Sequence, residues 1–452
     1  MLPPSSPEAA LQGTVPRSRR ALHLALPIIG GMVSQNILNL VDTAMVGRLG
    51  EASLAAVGIA GFANFMAVAF ITGMAAGVQA IAARRKGEGR ESEMALPLNG
   101  GLLLAVSLAL PWATLLHWLT PDLFPLLSDD PAVVAEGVPY LRARLFGMAA
   151  VGMNYAFRGY WNGVNLSRLY LGTLLVMHLS NIILNYGLIY GELGLPELGA
   201  EGAGLGTAIS TWIGTGVYFG LGLKHARVAG FLRGLPQRAE LRTMLRLAVP
   251  AGAQQFVMAT GYTAFFKIVA EVGTTELAAA NVVLNVMLVA ILPGLGFGIA
   301  GASLVGQALG RGDPDDAKQW GWDVVRLGVL VMFLLGLPML LVPDLVLAPF
   351  LHEAHTIDVA RGALRIVGAT IFFDGVGMVL LAALQGAGAT RTAAMVAGGC
   401  QWIVGLPLAF LVGPVLGGGL AAVWASQAVY RGLQAIIFAV IWQRGGWSRV
   451  EV

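Results

Sequence analysis

The stretch LALPIIGGMVSQNILNLVDTAMVGRLG, residues 24–50, sets the fold class of this chain. It is predominantly apolar, and a helix of about 20 apolar residues crosses the hydrocarbon core of a bilayer. One carboxylate, Asp42, lies within it, although a charged group is costly at that depth. The stretch therefore predicts a transmembrane helix that carries a functional acid.

The composition of the whole chain supports a membrane protein. Of 452 residues, 56% are apolar and 12% are charged, with a mean hydropathy of +0.73, whereas soluble domains carry about 25% charged residues. The net charge of +3 does not indicate a nucleic-acid partner, because the basic residues lie in short gaps between apolar runs. The single cysteine, Cys400, excludes a disulfide within the chain.

Apolar windows predict twelve membrane-spanning helices. Those of the first half lie near 21–47, 53–83, 94–118, 134–160, 168–192 and 200–228. Those of the second half lie near 240–268, 276–308, 318–342, 357–388, 390–413 and 417–442. The predicted fold is all-α and integral to the membrane, with twelve transmembrane helices in two six-helix lobes.

The loops between these windows alternate in charge. Loops without any Lys or Arg occur at 119–133, 193–199, 343–356 and 414–416. The N-terminal tail and the alternate loops are basic, so the positive-inside rule predicts that both termini are cytoplasmic. An even number of spans places both termini on the same side of the membrane, which agrees with this prediction.

A constant shift of 223 residues brings the two halves of the chain into register. Matching pairs are Pro27 and Pro250, Gly73 and Gly296, Arg142 and Arg365, Gly163 and Gly386, and Arg168 and Arg391. Because Pro, Gly and Arg carry the match, it does not reflect the abundance of alanine and leucine. Six spans per half give both lobes the same orientation, related by an axis along the membrane normal, with a substrate path between them.

The repeat predicts a domain plan for the chain. It consists of a cytoplasmic tail at 1–20, an N-lobe at 21–228, a cytoplasmic linker at 229–240, a C-lobe at 241–443 and a second tail at 444–452. Such paired lobes are a recurring transporter architecture. The alternative is a duplicated membrane scaffold without a transport role.

Two carboxylates lie deep in the predicted spans and are functional candidates. Asp42 corresponds to Phe265 in the repeat, and Asp374 corresponds to Val151. Neither acid therefore stems from the duplication, and each lobe has its own. The alternative for Asp42 is a position near the outer end of its helix, in reach of water.

Polar side chains accompany Asp42. Gln35 and Asn39 share its helix face, at spacings of seven and three residues. The fifth predicted helix adds His178, Asn181 and Asn185, and the sixth offers the hydroxyls of Thr207, Ser210 and Thr211. Carboxylate, amide and hydroxyl oxygens suit a small cation or a protonatable acid, so we predict a Na+ or H+ site formed by Asp42, Asn181, Asn185 and a hydroxyl of the sixth helix. Helix packing is the alternative for the asparagines and for His178.

The C-lobe offers further polar residues for the substrate path. Besides Asp374 they are Gln255, Tyr262, Asn281 and Asn285. Helix packing is again the alternative for these side chains. No serine, cysteine or metal-based catalytic signature stands out, so the sequence predicts a non-enzyme without a cofactor other than the coupling ion.

Three motifs resemble a known family. The opening segment 24–50, with VDTAMVG, is similar to the first helix of the MATE multidrug and toxin extrusion family. FRGYWNGVNLSR at 157–168 is similar to the family motif after the fourth helix, and LQGAGATR at 384–391 to its second copy. The resemblance covers essentially the whole chain and is greatest to the bacterial DinF-type branch.

The resemblance implies an antiporter that exports cationic amphipathic compounds against inward H+ or Na+ from a bacterial inner membrane, as a monomer. It implies cation coupling at Asp42, Asn181 and Thr207, and gating by bending of the first helix at Pro27. Relatives often have an aspartate at the position of Asn185, so its absence here favours H+. A flippase of a lipid-linked intermediate is the alternative, for which a more cationic central cavity is expected.

Overall fold

The computed structural model describes residues 16–351, 353–450 and 452, and within these ranges the chain is helical without strands. The predicted tail at 1–20 lies mostly outside the described residues. Twelve helical segments cross the bundle, and both described chain ends lie at the same end of it. This end is called the terminal end below.

The N-lobe contains six segments. They are α1 (Arg17–Gly47), α2 (Glu51–Thr72 and Met74–Gly87), α3 (Leu96–Leu123), α4 (Pro131–Leu145 and Met148–Gly163), α5 (Ser167–Tyr190) and α6 (Gly199–His225). Short 3-10 turns at Glu91–Glu93 and Phe124–Leu126 flank α3. This arrangement confirms the predicted six helices of the first half.

The C-lobe contains the other six. They are α7 (Arg238–Val272), α8 (Thr274–Gly310), α9 (Pro314–Leu341), α10 (Ala354–Gly386), α11 (Thr390–Gly399 through Leu411–Val415) and α12 (Gly419–Arg444). A short helix, Pro343–Leu347, follows α9, and a 3-10 turn, Gly446–Arg449, follows α12. The twelve-helix, two-lobe fold class is therefore confirmed.

Eight of these segments are long and apolar enough to cross a membrane by length and composition alone. The other four are α4, α6, α7 and α12, and each packs against one or more of the eight. Their polar residues thus face neighbouring helices in addition to the bilayer. This is the pattern of a bundle with a polar interior.

Three segments are less regular than the sequence predicts. The helix of α2 is interrupted at Gly73, where a Cβ would lie 2.9 Å from the Cα of Gly252 in the other lobe. The α4 segment is interrupted at Phe146 and Gly147, against α6. The α11 segment includes π-helical turns at Cys400–Gly405 and Leu411–Val415. Pro407 follows the first turn and Pro414 lies in the second. Because proline has no N–H, the usual helical hydrogen bond is missing at each, which explains the wider π-helical pattern.

The lobes meet through the halves of α1, α2, α7 and α8 that are nearest the terminal end. The rings of Phe70 and Phe256 stack with centroids 5.4 Å apart, and Gln79 Nε2 donates to Ser303 Oγ at 2.9 Å. In the opposite halves, polar side chains such as Gln35 and Asn281 are exposed, although exposure to lipid would be costly for them. The lobes therefore enclose a cleft that opens away from the termini.

The repeat is visible in the contact between the lobes. Gly87 and Gly310, which the shift of 223 residues relates, lie directly against each other. A Cβ on Gly87 would be 2.9 Å from the Cα of Gly310, and a Cβ on Gly310 would be 2.9 Å from the Cα of Gly87. This reciprocal contact places the pseudo-twofold axis between the two glycines.

Ion pairs join the lobes at the terminal end. Arg17 at the start of α1 lies 2.5 Å from Asp316 Oδ1 and 2.5 Å from Asp323 Oδ2, both on α9. Arg85 of α2 pairs with Glu240 of α7. Opening this end of the bundle requires all three ion pairs to separate.

The contact of Gly87 with Gly310 predicts the effect of a side chain there. Gly87→Val should force the backbones of α2 and α8 apart and cost about 1–3 kcal/mol, the usual range for overpacking. The measurement is the temperature at which half of the detergent-solubilised protein is no longer monodisperse. Gly216→Val on α6 is the matched control, because a Cβ there meets nothing within 4 Å. Equal temperatures for both variants would contradict the close approach.

Candidate functional site

A hydrogen-bonded chain links Asp42 to the fifth and sixth helices. Asn185 Nδ2 donates to Asp42 Oδ1 at 2.9 Å and to Asn181 Oδ1 at 3.1 Å. Asn181 Nδ2 donates to Thr207 Oγ1 at 3.0 Å. Glycine at position 206 lets α6 approach α5 here, since a Cβ would be 3.2 Å from the backbone nitrogen of Asn185. The structure thus brings together the four residues of the predicted coupling site.

The direction of these bonds suits an ionised carboxylate. Both amide hydrogens of Asn185 are used, one of them on Asp42, and the Thr207 hydroxyl donates to the Ala203 carbonyl at 2.8 Å. Asn185 Oδ1 is buried and has no hydrogen-bond partner. Among the described residues, the hydrogen bond to Asp42 comes from Asn185 Nδ2, and the Oδ1 of the same amide is an open acceptor. A carboxylate beside amide and hydroxyl oxygens can hold either a proton or a small cation.

A second chain of polar groups runs along α1. His178 Nε2 lies 3.2 Å from Gln35 Oε1, and Gln35 Nε2 donates to Asn39 Oδ1 at 3.2 Å. His178 is buried, whereas Gln35 and Asn39 are exposed on the cleft half of α1. The predicted helix face of α1 is thus continuous, and its neighbour His178 is hydrogen-bonded to it.

A central cavity of about 320 Å³ lies between the lobes. The N-lobe contributes Thr72, Gln79, Tyr155 and Arg158, and the C-lobe contributes Gln254, Gln255, Gln385, Arg431 and Gln434, together with apolar side chains. The charged side chains among these lining residues are both arginines. The charges that line this cavity are therefore basic, and the two deep acids predicted from the sequence, Asp42 and Asp374, are not among its lining residues.

Arg158 is held in position by the motif FRGYWNG. Phe157 is buried and stacks on Tyr218 with ring centroids 5.1 Å apart, and Trp161 is buried one turn later. Because these rings fix one face of α4 in the N-lobe core, the neighbouring Arg158 projects towards the cavity. Its guanidinium lies 5.6 Å from the ring centre of Tyr155 and 5.3 Å from that of Tyr170.

Arg431 stands between the central cavity and a second, smaller cavity inside the C-lobe. Its Nη2 donates to the Tyr262 hydroxyl at 2.8 Å, and its Nε lies 3.3 Å from Asp374 Oδ1. The second distance is that of an ion pair, without the alignment of a hydrogen bond. Asp374 lines the inner cavity and therefore faces a permanent positive charge.

The remaining predicted path residues differ in position. Gln255 lines the central cavity and Tyr262 the inner one. Asn281 and Asn285 are exposed on α8 and donate to the carbonyls of Leu277 and Asn281, at 2.9 Å each. These two asparagines belong to neither cavity, because their amides bond to their own helix.

The residues matched by comparison identify the family. A family model described as MatE matches residues 27–187 and again 250–411. The second match begins 223 residues after the first (250 − 27), which is the shift of the internal repeat. The chain belongs to the MATE family.

Relatives of this MATE chain are named as multidrug resistance proteins. The multidrug resistance protein NorM of Burkholderia vietnamiensis is 30% identical over 431 residues, covering 93% of this chain and 92% of the relative. The probable multidrug resistance protein NorM of Pseudomonas aeruginosa is 29% identical, covering 89% and 84%. These names support a multidrug efflux transporter; the DinF-type branch remains a prediction.

Solved structures share the fold. An outward-facing conformation of a multidrug resistance MATE family transporter superposes with a TM-score of 0.87 at 22% identity, covering 95% of each chain. A structure of MATE in the straight conformation gives a TM-score of 0.87 at 21% identity, covering 95% of this chain and 96% of the other. Members of the family are transporters, and this MATE chain is a multi-pass membrane protein.

The sequence interpretation missed Arg158 and Arg431 in this MATE chain. Arg431 was detectable, since it is the single charged residue in the predicted span 417–442, and such residues are functional candidates. Arg158 lay within a recognised motif but near the predicted end of its span. Both differ between the halves, because Leu381 and Ala208 are their repeat partners. The criterion that selected Asp42, a charged residue within a span that has no charged repeat partner, applies equally to both arginines.

The ion pair of Arg431 and Asp374 predicts how this MATE chain responds to its removal. Arg431→Gln leaves a buried carboxylate without a counter-charge, which costs about 3–5 kcal/mol. The double variant Arg431→Gln/Asp374→Asn removes both charges and should recover most of that stability. Thermal unfolding of the purified variants measures this. A double variant less stable than Arg431→Gln alone would contradict the pairing.

Proposed function

We propose that this chain is a secondary active antiporter that exports small organic compounds in exchange for H+, with Asp42 as the coupling acid. The observation that carries the proposal is the hydrogen-bonded cluster of Asp42, Asn185, Asn181 and Thr207 on three helices of the N-lobe. The names of the NorM relatives support the export of drugs. A bacterial inner-membrane location with cytoplasmic termini and a monomeric state complete the proposal.

Coupling follows from the position of Asp42 near the cleft end of α1. With the termini in the cytoplasm, the cleft opens outwards, and protons from outside reach Asp42. Neutralising Asp42 removes the charge that the Asn185 amide now stabilises, so the packing of α1 against α5 changes. This change shifts the equilibrium between the conformations of the transporter, and the shift drives export when H+ and cargo prefer different conformations.

Pro27 is the proposed hinge of this change. The described helix α1 runs continuously through the buried Pro27. A proline has no N–H to complete the helix at that point, so bending there sacrifices no hydrogen bond. Neutralisation of Asp42 is therefore transmitted to the half of α1 that contacts the C-lobe.

The family resemblance implies a cationic cargo, which the two deep acids Asp42 and Asp374 would suit. In the structure Asp374 is paired with Arg431, and of these two acids Asp42 alone forms no ion pair with a described residue. Asp42 lies in the N-lobe and not among the residues that line the central cavity. The proposal therefore covers amphipathic organic compounds and does not restrict them to cations.

The function is tested by uptake of a fluorescent amphipathic dye into inverted vesicles, whose cytoplasmic face is outside, with ΔpH or a Na+ gradient imposed separately. Wild type should respond to ΔpH. Asp42→Asn should reduce gradient-driven transport to that of empty vesicles, because the carboxamide cannot exchange a proton, while membrane insertion is retained. Asp358→Asn is the control, as this acid is 62% exposed. Normal uptake by Asp42→Asn would disprove the assignment.

A second substitution tests the choice of ion. Asn185→Asp places another carboxylate beside Asp42. The amide nitrogen that now donates to Asp42 is thereby replaced by an oxygen. Hard oxygen ligands and added negative charge favour Na+, so Na+ should begin to stimulate efflux in this variant. Transport is measured at fixed pH with NaCl against choline chloride. Wild-type transport that is already driven by Na+ alone would contradict H+ coupling.

A further inference from the structure

Arg158 carries a positive charge at the wall of the central cavity. Its side chain is half-buried on α4 and lines the central cavity. Its guanidinium lies beside the rings of Tyr155 and Tyr170 and is hydrogen-bonded to Tyr155. Within the described ranges, no carboxylate forms an ion pair with it. A cation held between lobes inside a bilayer is costly unless a counter-charge arrives.

The other charge of the cavity lies on the opposite lobe. Arg431 of α12 faces the central cavity from one side, while Asp374 contacts it from the inner C-lobe cavity on the other. The acid therefore holds Arg431 in place without lining the central cavity. The surface that a bound molecule meets carries two guanidinium groups and no carboxylate among the described lining residues.

The rest of the lining suits an amphipathic molecule. Amide groups of Gln79, Gln254, Gln255 and Gln385 surround the arginines, and methionines and alanines supply apolar surface. Several amides are already fixed, since Gln79 donates to the Ile299 carbonyl and Gln385 donates to Gln254, each at 2.8 Å. A preorganised polar patch beside an apolar wall is typical of small-molecule sites.

We propose that the central cavity recognises an anionic group, a carboxylate or a phosphate, of an amphipathic cargo through Arg158, with Arg431 as the facing second arginine. The guanidinium fork matches either group with paired hydrogen bonds. This inference specifies the substrate class and rests on the proposed export function. Because the two arginines belong to different lobes, a group held by both is released when the lobes move apart.

The test compares tetramethylrhodamine, which has a free carboxylate, with its methyl ester, which differs by the loss of that charge. Binding is followed by fluorescence anisotropy with the full chain in phosphatidylcholine nanodiscs, corrected with empty nanodiscs. Wild type should bind the free acid about tenfold more tightly than the ester, as expected for a charge-assisted bidentate contact. Equal affinity for both dyes would overturn the proposal without recourse to any variant.

Substitutions assign the preference to Arg158. Arg158→Leu should abolish the preference for the acid, and Arg158→Lys should restore part of it, since lysine retains the charge but not the fork. Arg326→Leu is the control, because it removes the same charge from a side chain that is 78% exposed. A preference that persists in folded Arg158→Leu would overturn the assignment.

Two further experiments are needed. The first identifies the source of the anion, and the second distinguishes this proposal from the proposed export function. Phosphatidic acid in the nanodiscs displaces the dye if a lipid headgroup supplies the group, and leaves it bound if soluble cargo does; both outcomes retain the arginine site. Asp42→Asn should keep the acid preference in binding while it loses export. Wild-type acid preference without gradient-driven export would refute the antiport function and leave the site intact.

Discussion

The close backbone contact of α2 with α8, at Gly87 and Gly310, is the constraint on which the rest of the structure depends. Lipid offers no hydrophobic driving force between helices, so the lobes adhere through small residues that permit close packing. The ion pairs of Arg17 and Arg85 add to this contact at the same end. One closed end and two diverging lobes follow, and the cleft and central cavity lie between them.

The duplicated scaffold separates two tasks. The reciprocal glycine contact is symmetric, because both halves must present the same small surface at the axis. The ionisable groups of the candidate sites are asymmetric, since Asp42, Arg158, Asp374 and Arg431 all lack a charged counterpart in the repeat. The repeated residues therefore form the contact between the lobes and the path between them, whereas the residues that differ between the halves supply the ionisable groups. The N-lobe carries the proposed coupling acid, and both lobes line the central cavity.

The positions of the charges explain how one chain can hold acidic and basic sites. Asp42 accepts a hydrogen bond from the Asn185 amide near the cleft end, whereas Arg158 lies beside aromatic rings at the central cavity. The structure forms no ion pair between these two residues. Asp374 and Arg431 do form one, at 3.3 Å, which fixes the arginine at the cavity wall.

The sequence by itself determined the helices, their number, the repeat and the members of the Asp42 cluster, because apolar length and helical spacing are properties of adjacent residues. Tertiary structure decided the interruption at Gly73, the pairing of Asp374, and the side on which Arg158 lies. These depend on how each helix is rotated and which lobe it meets. Such rotations are set by packing between residues far apart in the chain, which local patterns do not encode.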